Sequence, residues 1–253
     1  MTVPESAPPL EITDLEKRPD LLDAALALGD TGGRFMNHGS GVKMASPSRF
    51  LRHWPRYFLI ALADGVPVAR AQSMPIAFPT PERPELPSGG YDEAIQWGVQ
   101  DVLDDRAPTT LCALEVFIAP HLRGKGLSTP MVRAFRDRAA ETGLRSLLVP
   151  VRPYGKQAEP EVPMAEYAAR RRPDGLLADL WLRTHERLGA SLLGICPHAV
   201  TVTGSIAEWL AWTGIQLKDG ANLVPGGIAP VHASLVDDQA IYSEANVWME
   251  HQL

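Results

Sequence analysis

In residues 116–131, "VFIAPHLRGKGLSTPM", an apolar run leads into a turn carrying two glycines, an arginine and a lysine, and then into a helix-like pattern. Such a junction suits an anion. The first turn of a helix leaves backbone N–H groups without partners, and the helix dipole adds positive potential there. Glycines let that backbone approach a phosphate with no side chain between them. Pro130 fits a helix beginning near Gly126, because its missing N–H costs little in a first turn. Two nucleotide loops are excluded by register. A P-loop requires Gly, four residues and then Gly-Lys-Ser/Thr, which does not occur here, and a dinucleotide fingerprint requires glycine where the chain has Thr129.

The elements around this turn read as mixed α/β. The first dozen residues hold too little apolar content to pack firmly and predict a loose start or an edge strand. "PDLLDAALALGD" has a helix's leucine spacing and closes on glycine. "PSRFLRHWP" reads as a short helical turn. "RYFLIALADGVPVARAQSMPIAF" gives two strands joined by Asp-Gly, a strong hairpin signal. A Pro/Gly-rich loop precedes a helix over "YDEAIQWGVQDVLDD", and "TTLCALEVFIAP" is a strand that runs directly into the glycine turn. The helix "LSTPMVRAFRDRAAETG" ends at Gly143, and "LRSLLVPVRP" is a buried strand. A polar excursion, "YGKQAEPEVPMAEYAARRRPDG", precedes the helix "LLADLWLRTHERLGA" and two strand runs, "SLLGICP" and "HAVTVTG". The tail adds a helix, "SIAEWLAWTG", and strand-like pieces around "GGIAPVHASLV" and "YSEANVWME".

Composition narrows the classes further. At 253 residues and 45% hydrophobic the chain can build one well-packed domain. No run approaches the roughly 18–20 apolar residues of a membrane span, and the start carries acids and prolines where a secretory signal needs a basic start and an apolar core. A cytoplasmic location is the resulting expectation. Cys112 and Cys196 lie far apart in apolar surroundings and read as core thiols, with neither a disulfide framework nor a zinc pattern. The net charge of −6 argues against nucleic acid as a partner. The 19 arginines and five lysines cluster locally, which suits a small anionic ligand better than a long polyanion.

The register R-x-x-G-x-G, following an apolar strand and a proline in "VFIAPHLRGKGLS", resembles the acyl-CoA-binding motif of the GNAT superfamily of N-acyltransferases. The resemblance covers about residues 56–204. It implies a central mixed, mostly antiparallel sheet flanked by helices, an α/β fold of the α+β type with N- and C-terminal additions. Residues 1–253 are then one GNAT-like domain, with 205–253 packed on the core as an extension. It further implies that Arg123, Gly124, Lys125, Gly126, Leu127 and Ser128 wrap the CoA pyrophosphate. The backbone from Val116 through Phe117 to Ile118 would run beside the pantetheine arm and polarise the thioester. The family usually has Gly or Ala where this chain has Ser128; serine is small and can offer a hydroxyl. Acetyl-CoA or another acyl-CoA is the implied co-substrate, with no metal.

Acyl transfer needs a deprotonated amine, a polarised carbonyl and a proton for the departing thiolate. The family often supplies that proton from a tyrosine in Tyr-x-x-x-Gly-Phe. Here "THERLGA" places His185 at that position. Leu177, Trp181, His185 and Leu188 form one helical stripe, which aims His185 inward. With an ordinary pKa near ~6.5, only about a quarter of such groups carry a proton at neutral pH, and burial lowers that share. Glu115, the one carboxylate of the motif strand, is the first candidate base and lies on the side of Phe117. Its bland alternative is a strand ion pair. Asp101, Glu166 and His198 are weaker candidates. The acceptor is a small-molecule amine, and Arg152, Tyr154, Lys156 and Arg170–Arg172 would favour one carrying a carboxylate or phosphate. A homodimer is left open. The alternative function, favoured by the missing tyrosine, is a non-catalytic acyl-CoA-binding module or sensor.

Overall fold

The computed structural model describes residues 10–29 and 33–253. The expectation for the first nine residues lies outside these. β1 (Glu11–Asp14) is an edge strand, and the periodic leucines that follow form a 3-10 turn and α1 (Leu22–Leu26). Two short helices, α2 (Ser40–Met44) and α3 (Pro47–Phe50), precede the hairpin of β2 (Phe58–Ala63) and β3 (Val66–Ile76). Asp64 and Gly65 join these strands, both with positive φ (51° and 76°), as the Asp-Gly signal requires. Then come α4 (Gly90–Leu103), β4 (Thr110–Ile118), α5 (Ser128–Glu141) and β5 (Ser146–Val151). The polar excursion contains α6 (Met164–Ala169), a helix that its composition did not announce. It is followed by α7 (Leu180–Arg187), β6 (Ser191–Gly204), α8 (Ile206–Thr213), β7 (Gly220–Asn222), β8 (Val231–Ser234) and β9 (Gln239–Gln252).

Among the described residues nine strands make one sheet in the order β1-β2-β3-β4-β5-β9-β8-β7, with β6 paired to the other side of β9. All pairings are antiparallel except β4 with β5. Two features differ from the sequence reading. "SLLGICP" and "HAVTVTG" are one strand, interrupted where the register jumps between Cys196 and Val200 and the His198 amide turns away to the Ser88 carbonyl. The C-terminal strand does not lie over a finished core. β9 inserts between β5 and β6, so residues 246–249 are buried, with strands on both edges and α4 and α6 packed against the strand. Local pattern cannot show this, because insertion depends on pairing between distant segments.

The two faces of the sheet are assigned by alternation. Arg70, Gln72, Met74 and Ile76 of β3 point to the face carrying α1, α2 and α4. The Arg70 guanidinium donates to the Ala25 carbonyl, the Gln72 amide donates to the Ala45 carbonyl, and Gly98 of α4 lies against Met74 and Ile76. On β9, Trp248 reaches the Pro87 carbonyl on this same face, and His251 turns to α7 on the other. Buried Met249 lies on the His251 side. Met249→Ala is expected to cost roughly 2–5 kcal/mol by opening a cavity, read as a lower urea midpoint with an unchanged slope. The same change at exposed Val236 is expected within about 0.5 kcal/mol of wild type.

Candidate active site

The site is built around a parting of strands. β4 pairs with β5 only at Thr110–Cys112, against Ser146–Leu148. From Ala113 to Ile118 it keeps β3 on one edge, and among the described residues no strand pairs with the other. The divergence coincides with a bulge. Ser73 faces Ala113 and Gln72 faces Glu115, which leaves Leu114 as an extra residue in β4. Such an insertion bends a strand and increases its twist. Pro150, which lacks a backbone donor, sits in β5 beyond the last β4 pair, where that edge is open.

β4 ends at Ile118, and a 3-10 turn over Pro120–Leu122 leads into the glycine turn. Gly124 and Gly126 both have positive φ, 79° and 84°, and open space stands where a Cβ would be. Buried Leu127 anchors the loop, and α5 starts at Ser128 without a side-chain cap. Among the described residues, the amides of Gly124, Gly126, Leu127, Ser128 and Thr129 meet no backbone carbonyl. Pro130 is the third residue of α5, within the first turn. The open edge and these outward amides can hold, respectively, an extended amide-bearing chain and a phosphorylated group. Arg123 is exposed, and its side chain folds back onto β4. Its Nε donates to the Ile118 carbonyl at 3.1 Å, and its guanidinium lies 5.2 Å from the Phe117 ring, so it braces the turn.

Glu115 and Phe117 point to the α1 face and Val116 and Ile118 to the other, as alternation predicts. The Glu115 carboxylate is 19% exposed and bonded by Arg70 at 3.2 Å. His185 is elsewhere. Asp179 caps α7 by accepting from the Trp181 and Leu182 amides, so the helix starts at Leu180 and Leu177 precedes it. That shortens the expected stripe. His185 is 3% exposed, and its Nδ1 shares a 2.9 Å hydrogen bond with Nε2 of His251 on β9. Burial, with His251 beside it, pushes His185 down to about 3; burial and nearby Arg136 push His251 down to about 4. Both imidazoles are therefore neutral at pH 7, and His185 offers a hydrogen bond and no imidazolium proton. Asp101 is paired with Arg83 at 2.8 Å, Glu166 with Arg170, and His198 with the Ser243 hydroxyl at 3.1 Å. None of these three bonds reaches β4.

The cations expected to draw an anionic acceptor are committed within the chain. Arg152 donates to buried Glu244 at 2.9–3.0 Å and to the Gly226 carbonyl. Lys156 is buried with its amine on the carbonyls of Glu159, Pro160 and Ile228, and burial lowers its pKa. Arg170 pairs with Glu159 and Glu166, Arg171 with Glu186, and Arg172 with Asp174. Charge counting along the sequence could not see these partners, several of which lie a helix or a strand away. Arg70 was likewise missed, since one arginine in an apolar strand carries no sign of its partner 45 residues on.

No family model matches the chain. Among characterised proteins, the arginine N-acetyltransferase avaD of Aspergillus versicolor is 30% identical over 207 residues, covering 74% of this chain and 70% of that protein. The chain belongs to the GNAT superfamily. It is an acyl-CoA-dependent N-acyltransferase acting on an amine. Two solved structures share its fold over nearly the whole length. The loading GNATL domain of CurA from Lyngbya majuscula has a TM-score of 0.57 at 16% identity, covering 96% of each chain. The GphF GNAT-like decarboxylase, solved with isobutyryl-CoA, has a TM-score of 0.56 at 18% identity, covering 96% of this chain and 98% of that one. Among the described residues no helix is long and apolar enough to cross a membrane.

The histidine pair makes a pH prediction. An imidazole whose folded pKa lies below its unfolded value near ~6.5 binds fewer protons folded than unfolded, so stability falls as pH drops through that window. Asp92, pushed up to about 6 by burial, titrates in the same range with the opposite sign. Comparison with His185→Asn separates the two: between pH 7 and 4, wild type is expected to lose more of its urea midpoint than the variant. Parallel curves would contradict the assignment.

Proposed function

We propose that this chain transfers an acetyl or other short acyl group from acyl-CoA to an amine of a small-molecule acceptor, by direct attack within a ternary complex. The observation that carries the reading is the edge of β4 beyond Cys112, where β5 no longer pairs with it, opening beside an uncapped, glycine-turned helix start. In this assignment the amides of Gly124, Gly126, Leu127 and Ser128 take the pyrophosphate, while those of Arg123 and Lys125 close the turn onto the Pro120 and Leu122 carbonyls. The open backbone of Val116–Ile118, apart from the Ile118 carbonyl that Arg123 occupies, takes the pantetheine amides and polarises the thioester carbonyl. The acceptor nitrogen attacks the carbonyl carbon, the C–S bond breaks, and CoA leaves as the thiolate. Glu115, on the motif strand and partly exposed, accepts the proton that the nitrogen loses. Buried, neutral His185 takes no part in that proton's path and supports the closed end of the sheet through His251.

For the acceptor we propose a small metabolite with a basic nitrogen, of which arginine, the substrate named for the fungal relative, is the first to test. Two observations support it: the carboxylate on the α1 face, and the commitment of Arg152, Lys156 and Arg170–Arg172 to internal partners. The test is thiol release from acetyl-CoA over a panel of amines that includes arginine and agmatine, followed by mass spectrometry of the product. Micromolar CoA binding with no amine raising thiol release would sink the enzymatic reading of this site. Glu115→Gln is expected to lower kcat by roughly 10²–10⁴, the range of a lost general base, while acetyl-CoA affinity stays within about twofold. Substitution of Gly126 by valine, at positive φ, is expected to weaken acetyl-CoA binding at least tenfold, as measured by calorimetry.

A further inference from the structure

Arg70 is buried in the sheet, with its side chain 4% exposed. A guanidinium at that depth is costly unless its donors are met, and an apolar side chain would fill the same space at no such cost. Its partners explain its presence. Nη2 lies 3.2 Å from each oxygen of Glu115, and Nε lies 3.4 Å from Oε2, a fork around the carboxylate. Nη1 points the other way and donates to the carbonyls of Ala25 at 3.2 Å and Leu26 at 3.5 Å. These are the last two residues of α1, a five-residue helix too short to hold itself. A cation is what the exposed carbonyls at a helix C-terminus attract.

The flat face of the same guanidinium lies 5.2 Å from the Phe117 ring, and that ring also stacks with Arg123, the first residue of the glycine turn. Gly29, just past α1, lies against the rim of Phe117, where a Cβ would stand 3.2 Å from the ring. One side chain thus meets the carboxylate of the motif strand, the end of α1, and the ring that braces the turn.

We propose that Arg70 is a positioning residue for acyl transfer: it fixes the Glu115 carboxylate beside the open edge of β4 and fastens the end of α1 to it. The proposal rests on the assignment of Glu115 as proton acceptor. It requires the fork, and charge alone does not suffice. Lysine carries its three donors on one nitrogen and cannot reach the carboxylate on one side and the two carbonyls on the other together.

The experiment is a double-mutant cycle on the full chain with Arg70→Lys, Arg70→Met, Glu115→Gln and the double variants, with kcat and KM measured for both substrates. Arg70→Lys is expected to lose roughly tenfold or more in kcat and to raise the acceptor KM, with acetyl-CoA affinity within about twofold of wild type. Arg70→Met is expected to lose more. In the Glu115→Gln background either change is expected to add less than about threefold, because the carboxylate it positions is gone. The proposal is overturned if Arg70→Lys keeps wild-type kcat and acceptor KM, or if its loss multiplies in full on top of Glu115→Gln. It is also overturned if acetyl-CoA affinity falls in step with kcat, the sign of a structural role alone. Should Arg70→Met fail to fold, the lysine variant decides by itself. Wild-type activity in Glu115→Gln is a separate result, which removes the assignment of Glu115.

Discussion

The rest of the site depends on the loss of pairing between β4 and β5 after Cys112. A sheet stabilises itself by meeting every backbone donor and acceptor, so an unpaired edge inside it has to be sustained by something else. Here the bulge at Leu114 turns β4 away, β3 holds its other edge as far as Ile118, and β9 supports β5 along its full length. The gap therefore costs no general loosening. It leaves a row of backbone groups facing outward next to a helix start whose amides are also unmet, and the two together match a molecule with amides at one end and phosphates at the other.

Charge in this protein is mostly spent on architecture. Arg152 with buried Glu244 and Lys156 with the Ile228 carbonyl tie together segments far apart in sequence, and buried Arg83 pairs with buried Asp101. Surface pairs such as Arg172 with Asp174 add little. Arg70 belongs to the first group by its burial and differs in what it holds, a carboxylate that retains some access to solvent. The run Arg170–Arg172, which as sequence suggests an anion site, is engaged with partners inside the chain.

Much of this was legible from residue order. The hairpin at Asp64–Gly65, the motif strand, the glycine turn and the placement of Pro130 follow from local rules of conformation, which act within a few residues. The bulge at Leu114, the insertion of β9 and the partners of Arg70 and His185 do not, because each is set by pairing across tens to hundreds of residues. His185 shows the difference clearly. Its spacing correctly turned it inward, and spacing could not say that what waits there is a second, buried histidine.

The central claim, that the parted strands and the glycine turn receive acyl-CoA, is tested most directly by amide hydrogen exchange with and without saturating acetyl-CoA. The account predicts slower exchange on ligand addition at Ala113–Ile118 and at Gly124–Thr129, with β1, β7 and β8 unchanged. Unchanged exchange in both segments while acetyl-CoA is bound, or protection confined to another face of the sheet, would contradict it.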